Sequence, residues 1–184
     1  MTADYPVWTG EEWIQVEIPA MEGEALIVPN VAAVVYSQDR SRLVLQRRDK
    51  PGEAVRGRLE VPGGRWRAGE SPEDAVHREV FEETGLTVVE MLSGSTDYDF
   101  KAGISIQASR PSAVVAGLAG AYPALLVAFE CVAVGSPRAL IGETAAPAWW
   151  DIGEVVAHLD NDPDDFVWQT SAILREVLAA RELS

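Results

Sequence analysis

Cysteine is almost missing. Cys131 is the single one among 184 residues. No intrachain disulfide can form, so a disulfide-stapled scaffold is excluded, and a reducing, cytoplasmic setting is expected. Histidine is as scarce, with only His77 and His158, and nothing near them has the spacing of a zinc site. Positive charge is also short: 15 Lys and Arg face 29 Asp and Glu, a net charge of −14. Such a surface disfavours nucleic-acid polymers and anionic membranes as partners. The opening segment Met1–Gly10 has neither a basic start nor an apolar run, so no secretory signal is expected. Long uncharged runs are lacking but for Pro111–Phe129, 19 residues. That length approaches a membrane span. Pro111, Gly117, Gly120 and Pro123 argue instead for a small-residue loop leading into a buried strand, Ala124–Val134.

What is present reads as one soluble domain. The length suits a single core, and 47% hydrophobic with 24% charged residues excludes a disordered chain. The charge is unevenly spread. Residues 1–39 carry 7 acids and no Lys or Arg, residues 40–67 carry 9 bases and 3 acids, and residues 68–184 carry 6 bases and 19 acids. A basic island therefore sits in an acidic chain.

The apolar pattern predicts short strands in Trp8–Ile18 and Ala25–Val28. It predicts a buried strand over Asn30–Tyr36 and a second over Arg42–Arg47, paired as a hairpin. Arg58–Pro62 reads as a short extended piece broken by Gly63-Gly64. Ser71-Pro72-Glu73-Asp74 is a strong helix start, and Gly85 a stop, so a helix is expected over Pro72–Thr84. Leu86–Leu92 follows as a strand, and Ser93–Ala121 as loops with one strand. Asp151 starts a short helix, Ile152–Leu159, and a last helix is expected over Pro163–Glu182. Strands alternating with helices give an α/β class.

Within the first helix, Glu79, Glu82 and Glu83 stand three and four residues apart, which puts three carboxylates on one face. Like charges so placed repel. A divalent cation reverses the sign, and hard oxygens suit Mg2+ or Mn2+, which also bridge to phosphates. A solvated acidic face is the simpler alternative.

The wider context goes further. Gly64 is followed after five residues by Glu70, and after seven more by Arg78-Glu79-Val80, then Glu82-Glu83, Gly85 and Leu86. This run resembles the Nudix hydrolase signature, Gx5Ex7REUxEExGU with U a bulky aliphatic residue, at every fixed position. The resemblance implies an α/β/α sandwich with a mixed β-sheet over residues 29–184. It also implies an arm over residues 1–28 that can exchange in a homodimer, as in ADP-sugar relatives. It implies Mg2+- or Mn2+-dependent hydrolysis of a nucleoside diphosphate linked to another group, an ADP-sugar-like or (d)NTP-like small molecule. Glu79, Glu82, Glu83 and the Gly63 carbonyl are the implied metal ligands. Glu79, Glu82 and Arg78 form the implied catalytic set, with either Glu79 or the later Glu143 as general base. Gly64, Glu70 and Gly85 support the site.

In the basic island, Arg47, Arg48, Arg56 and Arg58 precede this motif, and one or two of them are expected on the diphosphate. Arg47, Arg48 and Arg58, with Glu60, are the substrate-side candidates. Glu60 lies in a Leu-Glu-Val-Pro-Gly-Gly run similar to family members acting on ADP-sugars. A ligand-sensing module without useful turnover is the alternative. An isoprenoid diphosphate isomerase would need a catalytic cysteine, and Cys131 falls in the middle of a strand.

Overall fold

The computed structural model describes residues 3–9, 11–18, 27–118, 124–139 and 144–182. The strands are β1 (Ala3–Trp8), β2 (Trp13–Ile18), β3 (Val28–Tyr36), β4 (Arg42–Arg48), β5 (Leu59–Glu60) and β6 (Gly63–Arg65). Beyond helix α1 (Pro72–Thr84) come β7 (Thr87–Met91), β8 (Ser95–Phe100), β9 (Ile104–Ser109), β10 (Ala113–Ala116), β11 (Ala124–Val134) and β12 (Thr144–Asp151). Helices α2 (Ile152–Asn161) and α3 (Trp168–Glu182) close the chain, with a 3-10 turn at Pro163–Asp165 between them.

The apolar runs of β3 and β11 are buried on both faces, so they pair in parallel at the middle of the main sheet. The order is β10-β11-β3-β4-β12, with β7 on β11, β5 on β4 and β6 on β3. The other pairings are antiparallel, so the sheet is mixed. Alternation along each strand sends side chains to opposite faces. Val31, Ala33, Val35 and Val44 meet Ala75, Val76 and Val80 of α1. Ala32, Val34, Leu43 and Leu45 meet Val155 and Leu159 of α2 and Ile173, Leu174 and Val177 of α3. The expected three-layer α/β/α sandwich is the fold observed. Among the described residues no helix is long and apolar enough to cross a membrane, and the uncharged stretch supplies β10 and the first half of β11.

The expected β3–β4 hairpin closes at Tyr36 opposite Leu43. Toward their far ends β3 takes β6 as partner and β4 takes β5. Residues 59–65 thus wedge between two strands that are neighbours at the hairpin end. Here Gly63 and Gly64, expected to break the extended piece, lie inside β6. A Cβ on Gly63 would collide with the Val31 carbonyl oxygen. Absence of a side chain is what permits this close antiparallel approach.

Helix α1 has its expected bounds. Ser71 accepts the Asp74 N–H, Pro72 occupies the first turn, and Gly85 ends the helix at φ 66 with its N–H on the Phe81 carbonyl. The last helix does differ from expectation. Phe166 is extended, fully buried and bridged to Leu59, and the Val167 N–H donates to the Leu59 carbonyl at 2.8 Å. This tertiary pairing interrupts the helical pattern, so α3 starts only at Trp168. The described part of Ser93–Ala121, residues 93–118, holds three strands rather than one. β8 and β9 form a sheet of their own, with Tyr98, Phe100, Ile104 and Ile106 half exposed. At the N-terminus β1 and β2 form another hairpin, whose Trp13 indole N–H donates to the Pro51 carbonyl at 2.9 Å. Of the strand expected over Ala25–Val28, the first two residues lie outside the described ones, and Val28 opens β3.

Candidate active site

The wedge and α1 bring polar groups together beneath the sheet surface. On β4, Leu43 and Leu45 point to the α2–α3 side, while Val44 and Gln46 point toward α1. Gln46 is directly opposite Glu60 on β5, and cross-strand partners share a face. The Gln46 Nε2 donates to Glu83 Oε2 at 2.6 Å, and the Gly63 N–H donates to the same oxygen at 2.9 Å. One helical turn earlier Glu79 lies against Gly64, where a Cβ would stand 2.5 Å from Glu79 Oε1.

Arg78 ties this layer together. Its Nε and Nη2 hold the Glu70 carboxylate in a fork at 2.7 and 2.9 Å. Its Nη1 donates to Glu79 and, at 3.3 Å, to Glu82, and its Nη2 also reaches the Arg65 carbonyl at 3.1 Å. A planar guanidinium suits such a set of directions. Glu82 sits at the rim, partly exposed, with Arg67 at 3.8 Å.

Burial sets the electrostatics. It pushes the Glu83 carboxyl well above the ordinary range, the Glu60 charge pushes the same way, and the Gly63 and Gln46 donors oppose both. Burial likewise raises Glu79 against the pull of Arg78. It raises Glu60 against the pull of Arg48. Glu70 moves the other way, held low by the Arg78 hydrogen bonds. At Glu83, Glu79 and Glu60 the cost of burial outweighs the donors and cations beside them.

The donors fit a hard divalent cation in chemistry, since every candidate atom is oxygen. Two further oxygens, Gln46 Oε1 and Glu60 Oε1, are buried without a hydrogen-bond donor, which is costly unless something binds there. Among the described residues no three His, Cys, Asp or Glu side chains converge on one point. Glu79 and Glu82 turn to Arg78, and Glu83 turns to Gln46 and Gly63.

The structure thus brings together Glu60, Gly63, Gly64, Glu70, Arg78, Glu79, Glu82 and Glu83, with Gly85 ending their helix. Arg48 joins them, but as the partner of Glu53 and Glu60 at 2.5 and 3.2 Å. Arg47 and Arg58 go elsewhere. Arg47 bonds the Gly57 carbonyl and Asp165, and Arg58 lies over the Trp168 ring and reaches the Phe166 carbonyl. Arg56 pairs with Asp49. Glu143 lies outside the described residues. Cys131 is fully buried with its thiol pushed up to about 12 by burial, so it offers no nucleophile. Sequence reasoning missed Gln46. Its signal is an amide that directly continues the apolar run Leu43–Leu45 of β4.

Beside Glu70 opens a cleft of 420 Å³. Trp66, Glu70 and Ser71 form one wall, and Asp97, Ser105 and Gln107 from the β8–β9 hairpin form the other. Trp66 also packs on the α1-side core and donates its indole N–H to the Glu70 carbonyl at 2.8 Å.

A family profile, the NUDIX domain, matches residues 26–168. A MutT-like protein of Streptomyces ambofaciens is 42% identical over 66 residues, 35% of this chain and 39% of that protein. The match thus spans well under half the length of that relative. Among solved structures, the MutT NUDIX hydrolase of Burkholderia pseudomallei superposes with a TM-score of 0.57 at 18% identity, over 83% of this chain and 99% of that one. The NUDIX domain of Shewanella oneidensis NrtR, solved with ADP ribose, gives 0.56 at 15% identity, over 89% and 92%. A NUDIX family hydrolase of Clostridium perfringens gives 0.56 at 16%, over 85% and 99%. At these identities the solved structures establish the shared fold.

Proposed function

The chain belongs to the NUDIX domain family, and from that premise we propose that it hydrolyses the pyrophosphate linkage of a nucleoside diphosphate joined to another group. The observation that carries this reading is the set of carboxylates Glu79, Glu82 and Glu83, complete in the motif, with Arg78 bonded to Glu70, Glu79 and Glu82 and with Glu83 held by Gln46 and Gly63. Buried acids with raised pKa and donor-less oxygens beside them are costly to a fold. They suit a site that receives Mg2+ or Mn2+. Such an ion, when bound, neutralises phosphate charge and lowers the pKa of a bound water.

Glu79, Glu82, Glu83 and the Gly63 carbonyl are the proposed holders of the ion. Arg78 keeps Glu79 and Glu70 in register. The proton of the attacking water passes to a carboxylate, Glu79 or Glu143. The cleft beside Glu70 is of small-molecule size, and no Lys or Arg is among its lining residues. It suits a sugar or base rather than a phosphate, with Trp66 as a flat wall and Asp97 and Gln107 as hydroxyl readers. The Leu-Glu-Val-Pro-Gly-Gly run and the ADP ribose bound by the NrtR domain support an ADP-sugar-like substrate, with a (d)NTP-like one as the other reading. We further propose a cytoplasmic homodimer using the arm over residues 1–28.

The test is product formation on a panel of ADP-ribose, other nucleotide sugars, NADH, dinucleoside polyphosphates and nucleoside triphosphates, with Mg2+, Mn2+ or chelator. Turnover of one class is expected with metal, lost in chelator and lowered at least ~100-fold in Glu83→Gln. Metal binding with no turnover on any substrate would favour a ligand-sensing domain instead. Light scattering at a monomer mass would remove the dimer.

A further inference from the structure

Glu83 is the most deeply buried of the motif carboxylates, and its orientation is set from outside the motif. Both of its side-chain hydrogen bonds end on Oε2, one from the Gln46 amide at 2.6 Å and one from the Gly63 N–H at 2.9 Å. Neither bond uses Oε1. Gln46 is fully buried, on the face of β4 that looks toward α1. It stands opposite Glu60 in the β4–β5 register. The amide oxygen of Gln46 and Oε1 of Glu60 are both buried without a donor.

An amide in this position costs desolvation for its oxygen, and an apolar residue of the same length would avoid that cost. The local sequence shows that the strand tolerates apolar neighbours, since Leu43, Val44 and Leu45 precede it. What the amide adds is a donor aimed at one chosen oxygen of Glu83. A carboxylate with one oxygen fixed by two donors cannot rotate freely, and its other oxygen is left for a ligand.

We propose that Gln46 is a positioning residue. Its Nε2–H, with the Gly63 N–H, fixes Glu83 Oε2 to the protein and so assigns Oε1 to the divalent cation. Its own Oε1, like Glu60 Oε1 buried without a donor, adds a neutral oxygen to the wall of the same site. This rests on the metal-dependent reading of the site given above, and extends it to a residue outside the motif. Outer partners that orient a ligand are worth about 10- to 100-fold in metal affinity.

The test measures Mn2+ binding to the whole protein by titration calorimetry and by the loss of the free-ion electron paramagnetic resonance signal. The proteins compared are wild type, Gln46→Met and Gln46→Asn. Met keeps the length and removes the donor, and Asn keeps the amide but is one methylene short of Glu83. Melting in chelator is recorded alongside. The expected result is Mn2+ affinity lowered about 10- to 100-fold in both variants, with circular dichroism unchanged. Wild-type affinity in either folded variant, with only melting in chelator altered, would show a structural role and overturn the proposal. If Gln46→Met does not fold, Gln46→Asn decides by the same criterion. Wild type that binds no Mn2+ at all would overturn both this proposal and the metal-dependent reading, so the two failures are told apart.

Discussion

The carboxylate of Glu79 fills the space that a side chain on Gly64 would need. A Cβ on Gly64 would stand 2.5 to 2.6 Å from all three carboxylate atoms of Glu79. The glycine is therefore the floor on which Glu79 rests while Arg78 holds it from the side.

Gly64→Ala should displace Glu79 without unfolding the protein. The clash is with the tip of a flexible side chain, so stability should change by only about 1 kcal/mol. Activity on the preferred substrate should fall at least ~10-fold. Thermal melting and kcat on the same sample check this, and wild-type kcat would show that the position of Glu79 is immaterial.

Arg78→Lys keeps the charge and removes the fork. One ammonium cannot hold both oxygens of Glu70 together with Glu79 and the Arg65 carbonyl. A fall in kcat of about 10- to 100-fold is expected. Lys supporting full turnover would mean that only the positive charge matters there.

Asp39 gives a pH effect remote from the site. Its carboxylate accepts from Ser37 Oγ at 2.6 Å and from the Ser41 N–H at 3.2 Å in the β3–β4 turn. The Ser37 bond first, and Ser41 next, hold its pKa down to about 2. A depressed carboxylate stabilises above its unfolded value, near ~3.9, and that contribution disappears as pH falls through the folded one. The melting temperatures of wild type and Asp39→Ala should therefore differ above pH ~4 and converge toward pH 2. A gap that persists at pH 2 would assign the effect to something other than this charge.

Cys131 should not react in the folded protein. It is fully buried and its thiol is pushed up to about 12, so little thiolate exists at pH 8. A thiol reagent should label it only as fast as the chain unfolds, and fully in denaturant. Rapid native labelling would contradict the placement of β11.

Much of the fold is legible in the chain's local signals. Helix α1 can be bounded to the residue because its start and stop are local: a Ser cap, a Pro in the first turn and a Gly that takes a positive φ. The carboxylates of the motif are legible for the same reason, since helical spacing alone puts Glu79 and Glu83 one turn apart. Ser93–Ala121 is less legible. Its β8–β9 hairpin turns Tyr98, Phe100, Ile104 and Ile106 outward, which defeats a search for strands with buried faces.

The family motif, the carboxylate-bearing helix and the alternation of strands and helices are written in the sequence, because each is encoded over a few turns of chain. Which face each neighbour of that helix serves is settled only in three dimensions. Arg47 leaves the site for Asp165 while adjacent Gln46 enters it, because one step along a pleated strand reverses the side chain. Phe166 breaks the last helix because Leu59, far earlier in the chain, takes it as a bridge partner. Gly63 extends where two glycines suggest a break, because the Val31 backbone closes on it from across the sheet. Each of these outcomes depends on a residue distant in sequence, and short-range propensity carries no record of it.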